Sequence, residues 1–90
     1  MRRFGLGAVF ATRAALEALG SAEVSPSELL ERHAAGDWGD VPPADARENE
    51  YALERGLRVI SSYPLPGGEQ VWIVTEADRS STSIITPDEY

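Results

Sequence analysis

The sequence contains no cysteine and no lysine, and its only histidine is His33. Without cysteine the chain has no disulfide, cysteine-based zinc site or thiol nucleophile, and a reducing cytoplasmic setting is consistent with that. No apolar run is long enough to span a bilayer. The apolar stretch 4–12 is interrupted by Arg13 and no cleavage site follows, which argues against a signal peptide. We expect no membrane contact and no cofactor.

Positive charge is scarce in the second part of the chain, and this asymmetry is the most informative feature of the composition. Residues 1–35 carry four arginines and four glutamates and sum to zero, whereas residues 36–90 carry eleven acids and four arginines, which gives the whole net charge of −7. Such a surface repels nucleic-acid phosphates and anionic lipid. Direct nucleic-acid binding is therefore disfavoured, and a protein partner with a basic surface is favoured.

Ninety residues predict a single domain covering 1–90. Three apolar runs, at 57–60, 71–75 and 83–86, are rich in β-branched residues and separated by turns at 64–68 and 76–81, as in an antiparallel meander. Both faces of the middle run are apolar, which is typical of a central strand. We predict an α+β fold, with a three- to four-stranded antiparallel sheet and about three helices on one face.

The N-terminal segment 4–11 has the alternation of a strand that joins one edge of the sheet, with Phe4, Leu6, Ala8 and Phe10 inward. Small residues on its other side suit the close approach of another backbone. Three helices are then expected. The first is capped by Thr12 and ends at Gly20.

Ser25, Pro26 and Glu28 predict a capping box for the second helix, which Gly36 ends. The third helix runs from about Ala44 to Arg55, and Gly56 closes it.

Two polar features invite a catalytic interpretation that competes with a structural one. His33 can act as a general base or a metal ligand with Asp37 or Asp40, but it lies on the apolar stripe of its helix, which favours a packed histidine. Glu76, Asp78 and Arg79 can support acid–base chemistry, although a solvated hairpin turn is the commoner arrangement. Asn49 falls on the buried side of its helix and is expected to hydrogen-bond main chain of the Trp38 turn.

The acidic residues form the remaining signal. Six carboxylates within eighteen residues, on one turn and one helix, can lie at spacings comparable with phosphates on duplex DNA. The competing interpretation is a solvated helix face that keeps a small protein soluble. Together with an indole anchor and the second hairpin turn, these acids make up our predicted partner-binding set: Asp37, Trp38, Asp40, Asp45, Glu48, Glu50, Glu54, Glu76 and Asp78. We predict no catalytic and no metal-binding residue.

Five segments (28–33, 36–40, 49–53, 72–80 and 87–90) resemble a family of small uncharacterised proteins of bacterial plasmids and integrative elements. The blocks Gly-Asp-Trp-Gly-Asp at 36–40 and Thr-Glu-Ala-Asp-Arg-Ser at 75–80 are the most specific. These proteins are labelled plasmid-related, or are associated with type I restriction–modification subunits. The resemblance brings no active site, but it implies a mobile-element setting, in which small acidic proteins often inhibit host defence.

The leading hypothesis is therefore a non-enzymatic, acidic binding module that inhibits a host defence complex, as an anti-CRISPR or anti-restriction protein, with nucleic-acid mimicry as one mechanism. One alternative is a small toxin-like ribonuclease, against which the acidic charge counts, because RNA-cleaving surfaces are normally basic. Another is an antitoxin-like or structural adaptor, with homodimerisation as an option and Trp38, Tyr51 or Tyr63 as interface anchors.

Overall fold

The computed structural model describes all residues from Met1 to Tyr90, and the sheet is its central element. The strands are β1 (Ala8–Ala11), β2 (Val59–Pro64), β3 (Gln70–Thr75) and β4 (Ser81–Ile85). The helices are α1 (Arg13–Ala22), α2 (Pro26–Ala34) and α3 (Pro43–Arg55), and a 3₁₀ turn, η1, spans Pro87–Glu89. The strand order is β1-β4-β3-β2. The α+β prediction is confirmed. None of the helices combines the length and the apolar character that a membrane span requires.

Strands β2, β3 and β4 form the predicted antiparallel meander, with β3 between the other two. Side chains alternate between the two faces, so Ser61, Ile73 and Ile84 line up on one face. That face is fully buried. The opposite face includes the half-buried Trp72. The main core therefore lies on one side of the sheet.

Strand β1 is shorter than predicted and pairs with β4 in parallel, so the sheet is antiparallel except at this edge. Gly7 has a φ of +65°, and a Cβ there would collide with the backbone of Ser80; the predicted close approach of another backbone occurs at this glycine. The expectation that Ala8 and Phe10 point inward is wrong, since both are exposed. The Phe10 side chain is 59% exposed because it projects from an edge strand that no helix covers.

Helices α1 and α2 cover the buried face. Thr12 caps α1 as predicted, since its Oγ1 accepts a hydrogen bond from Ala15 N at 3.1 Å. The helix continues through Gly20 to Ala22, where Glu23 takes the left-handed conformation. The predicted side-chain capping box of α2 does not form, because Ser25 Oγ hydrogen-bonds to a neighbouring serine side chain.

The core is built between these helices and the sheet. Its residues share nearly complete burial and come from α1, α2, β2, β3, β4 and the turn after β2: Ala15, Ala18, Leu19, Leu29, Tyr63, Leu65, Val71, Ile73 and Ile84. A smaller cluster of Trp38, Ala52 and Val59 joins α3 to the sheet. Complete burial of a large apolar side chain contributes about 1.5–3 kcal/mol, so the larger cluster dominates stability.

Helix α3 lies beside the outer edge of β2, not with the other two helices on one face. The Asn49 amide donates to Ile60 O at 2.8 Å and accepts from Ile60 N at 3.1 Å, as a neighbouring strand would. The expectation that Asn49 bonds the Trp38 turn is therefore wrong. The Trp38 turn instead satisfies the outward backbone groups of Ser62 on the same edge of β2. Ser62 N donates to Trp38 O, and Ser62 O accepts from Asp40 N.

Gly39 makes this second closure possible. Its φ is +75°, and a Cβ would collide with Ser62 O and the Tyr63 ring. Pro64, which has no N–H, ends β2. The side-chain amide and the turn occupy two hydrogen-bonding positions of this edge, and the proline removes the donor of the next, so the edge is blocked to another strand.

Replacing Asn49 with alanine is expected to lower the free energy of unfolding by about 1–3 kcal/mol, because it leaves the N–H and C=O of Ile60 without partners. Urea unfolding measures the change. The matched control is Glu54→Gln, on an exposed position of α3, which should stay within about 0.5 kcal/mol of the wild type. An Asn49→Ala variant as stable as this control would show that the amide does not hold α3 to β2.

Candidate functional site

His33, the first catalytic candidate, lies at the centre of a buried hydrogen-bond chain. The side chain is 0% exposed. Its Nδ1 contacts Ser61 Oγ, and its Nε2 lies 2.8 Å from Thr75 Oγ1. Thr75 Oγ1 is 2.7 Å from Thr82 Oγ1, which donates to Leu6 O at 2.7 Å. The chain thus connects α2, three strands and the N-terminal segment.

The direction of this chain follows from its last member. Since Thr82 donates its only hydroxyl proton to Leu6 O, its Oγ1 must accept the hydrogen bond from Thr75. Thr75 then accepts from His33, so Nε2 carries the imidazole proton and Nδ1 accepts from Ser61. Every side-chain donor of the chain then has an acceptor. A satisfied buried network of this kind rigidifies a core, and it leaves the Ser61–His33 pair no contact with a substrate.

The environment of His33 also disfavours its charged form. Burial, followed by the nearby positive charge of Arg79, lowers its pKa from 6.5 to about 4. Phe4 and Trp38 pack edge-on against the imidazole, at centroid distances of 5.2 and 5.9 Å. The interpretation of His33 as a packed histidine is therefore confirmed.

The hairpin turn at 76–81 is organised by backbone contacts. The Arg79 guanidinium donates to Leu57 O, Glu76 O and Ala52 O, so it closes the C-terminal end of α3. The Ser80 hydroxyl, followed by the Ser80 backbone N–H at 3.0 Å, lowers the pKa of Asp78 by hydrogen bonding to its carboxylate. Glu76 pairs with Arg58 at 3.0 Å. These contacts are those of a structured turn, in which Arg79 is directed to main-chain carbonyls.

Two predicted partner-binding acids, Glu50 and Asp37, are neutralised by arginines of the first part of the chain. Glu50 receives both terminal nitrogens of Arg3, at 2.9 and 2.8 Å, and the indole N–H of Trp38 at 3.1 Å. Asp37 pairs with Arg32 at 2.7 Å. In each case the arginine hydrogen bond is the largest factor that lowers the pKa of the acid. These carboxylates hold the N-terminal segment and the loop after α2 in place.

Three other predicted acids remain without an arginine partner and line one groove. Asp40 lies at the end of the Trp38 turn, and Asp45 and Glu48 lie one turn apart on α3. All three are exposed. The spacing of i and i+3 places Asp45 and Glu48 on the same side of the helix. The structure therefore gathers these three members of the predicted set and separates them from the others.

The groove has a volume of about 530 Å³ and runs between α3, the Trp38 turn and the less covered face of the sheet. Its apolar lining comprises Val41, Pro42, Ala52, Leu57, Ile60 and Trp72. Tyr90 lies at one end, with its ring 5.6 Å from that of Trp72 and its hydroxyl accepting from Arg58. Apolar surface edged by a few polar groups is the usual composition of a binding site.

Trp72 adds an unusual feature to this groove. Its Nε1 is buried and has no hydrogen-bond partner, the only such side-chain atom in the chain. Buried donors without an acceptor are uncommon in native structures. The indole N–H is thus a buried donor without an acceptor, in a residue that lines the groove.

The remaining predicted residues lie elsewhere. Trp38 is 6% exposed and supports the surface from within, so it is not available as a contact residue. Glu54 is exposed on α3 but does not line the groove. Glu76 and Asp78 belong to the hairpin turn. The nine predicted residues therefore do not form one continuous acidic face.

Sequence reasoning missed Trp72, Arg58 and Tyr90 as groove residues. The signal for Trp72 was present, because a strand that is apolar on both faces must place one face against a second layer. Here that layer is thin. It consists of η1 and Tyr90, which leaves the groove open beside α3.

Nowhere do three histidine, aspartate or glutamate side chains come close enough together to hold a metal ion. Comparison of the chain with protein-family models, curated proteins and solved structures found no match. Its function must therefore be inferred from the groove and its charges.

Stability is expected to fall as the pH drops from 7 to 5, because the unfolded chain takes up a proton at His33 near pH 6.5 while the folded chain resists it until about pH 4. Above pH 6.5, His33 is neutral in both the folded and the unfolded chain and makes its full contribution to the free energy of unfolding. The loss grows by about 1.4 kcal/mol per pH unit below it, which gives about 2 kcal/mol at pH 5.

Urea unfolding at pH 7, 6 and 5 measures this dependence, with His33→Gln as the matched variant that cannot titrate. The variant is less stable throughout, but its stability should change less over this range. Equal slopes for the two proteins would show that His33 is not held neutral by the fold.

Proposed function

We propose that the protein is a non-enzymatic binding module whose groove receives a basic segment of a partner protein. The observation that carries this proposal is the coincidence of unpaired acids and apolar surface: Asp40, Asp45 and Glu48 edge the same groove that Trp72 lines. Arginine or lysine side chains can pair with the acids while their aliphatic stems lie on the apolar floor.

The charge distribution supports this site over a general acidic surface. Asp37, Glu50 and Glu76 already have arginine partners at 2.7–3.0 Å, so they offer little further attraction. The groove acids have no arginine partner, and the one cation of the groove lining, Arg58, is paired with Glu76. Electrostatic complementarity of this kind raises the rate of association and excludes acidic partners.

Mimicry of a DNA phosphate row has less support from the geometry. It requires a long, evenly charged face, whereas Glu50 is neutralised and Glu54 does not line the groove. A short basic segment with apolar neighbours matches the groove better. The ribonuclease alternative has no accessible histidine to support it.

The partner class follows from the mobile-element resemblance. In that setting the basic segment belongs to a host defence complex of the CRISPR or restriction type, acting in the cytoplasm, and the module inhibits the complex by covering a surface that otherwise contacts nucleic acid. This assignment rests on the resemblance and on charge. The groove itself would serve any partner of the same chemistry.

Purified CRISPR effector and restriction complexes provide the test, each mixed with the immobilised protein without nucleic acid. The wild type is expected to retain at least one complex and to inhibit its nuclease activity. The triple variant Asp40→Asn, Asp45→Asn, Glu48→Gln should bind at least about ten-fold more weakly, which corresponds to about 1.4 kcal/mol, and raised salt should weaken the wild type.

Glu54→Gln is the matched control, since it removes one charge from the same helix outside the groove. It should bind like the wild type. Equal binding by the triple variant and this control would exclude the groove as the contact site. Failure of the wild type to bind any complex would remove the defence assignment.

A further inference from the structure

The outward backbone groups are covered at one edge of the sheet and exposed at the other. Asn49, the Gly39 bridge and Pro64 close the β2 edge. At the opposite edge all four residues of β1 are exposed, including Val9 at 46% and Phe10 at 59%. Open edges are normally protected by shortness, charge, proline or a covering element. The strand Ala8–Ala11 is short, at four residues, but it has no charge and no proline, and nothing covers it.

The backbone of β1 leaves a defined set of groups unpaired. Ala8 N donates to Ser80 O and Thr12 N donates to Ile84 O, so the even-numbered residues face β4. By alternation, Val9 and Ala11 direct their N–H and C=O groups outwards. These two donors and two acceptors have no partner within the chain.

We propose that β1 is a homodimer interface, at which β1 of a second copy adds in antiparallel orientation to form a continuous eight-stranded sheet from the two four-stranded halves. A two-fold axis at Phe10 pairs Val9 of each copy with Ala11 of the other. Each copy's two donors and two acceptors are then satisfied. The two Phe10 side chains face each other in a non-hydrogen-bonded pair, where cross-strand side chains are closest.

Charge complementarity indicates that the strand added to the open edge of β1 belongs to a second copy of the chain. Because the two β1 strands run antiparallel, the end of β1 in one copy, which leads into Arg13 at the start of α1, lies beside the start of β1 in the other. There Gly7 packs against Ser80, whose N–H binds Asp78 at 3.0 Å. Arg13 and Asp78 are both exposed, and neither takes part in an ion pair within the chain. The two-fold axis brings these opposite charges together twice.

The dimer is expected to be weak. A four-residue strand with Phe10 buries less than the roughly 800 Å² per partner of a stable interface. Association in the micromolar range or weaker follows, with the groove on each copy left accessible. This inference is independent of the proposed function.

Sedimentation velocity of the full chain from about 10 μM to about 1 mM tests it. The wild type should shift from monomer toward dimer as concentration rises. Val9→Pro removes only an outward N–H, so it should fold and yet dimerise at least about ten-fold more weakly. Val9→Thr is the matched control, because it keeps the N–H and a β-branched side chain, and it should dimerise like the wild type.

A second arm does not depend on the fold of the proline variant. Arg13→Glu places like charges opposite each other and should weaken the dimer at least about ten-fold, whereas Arg47→Glu, an equal charge change on the exposed part of α3, should not. A wild type that stays monomeric throughout the range overturns the proposal. So does a dimer that neither Val9→Pro nor Arg13→Glu weakens.

Discussion

The closure of the β2 edge is the interaction on which the rest of the structure depends. One amide, that of Asn49, replaces a neighbouring strand at Ile60, and the backbone around Gly39 does the same at Ser62. These contacts hold α3 and the Trp38 turn against the sheet without covering its second face. The groove exists because the sheet ends in this way. A further strand at the same edge would pair with β2 and displace both elements.

The arginines of the first part of the chain divide the acids into two groups. Arg3 and Arg32 reach Glu50 and Asp37 and turn them into supports for the loop that carries Trp38. Exposed ion pairs of this kind contribute little stability individually, but they decide where negative charge remains. The unpaired negative charge beside the closed β2 edge comes from the three acids at the groove, Asp40, Asp45 and Glu48, and it makes the rim of the groove acidic.

Local signals were sufficient for much of the fold. The meander follows from β-branched runs and turn residues. The start of α1 follows from Thr12, and the end of α3 follows from Gly56, which has a φ of +67°. Contacts between distant residues explain the errors. The parallel pairing of β1 depends on Gly7 meeting Ser80. The partner of Asn49 is a strand eleven residues away, and spacing along a helix does not reveal which backbone lies beside it.

The same limit applies to the candidate site. The sequence places six acids on one turn and one helix, but only the three-dimensional arrangement identifies which acids Arg3, Arg32 and Arg58 neutralise. Trp72 belongs to the middle run that is apolar on both faces, and it lines the groove because the layer over its face is only η1 and Tyr90. Charge counting therefore underlies the partner class that we propose, and tertiary contacts reduce the nine candidate residues to the three acids that line the groove.

The most direct test of the groove uses the two indole N–H signals in an ¹⁵N NMR titration with a short peptide of alternating arginine and leucine. The chain has two tryptophans. Trp38 Nε1 is bonded to Glu50, whereas Trp72 Nε1 is unpartnered in the groove wall. The account predicts that the Trp72 indole signal and the backbone signals of Asp40, Asp45 and Glu48 shift together, while the Trp38 indole signal stays in place. Shifts that avoid Trp72 and fall on Glu54 or the 76–81 turn would contradict it.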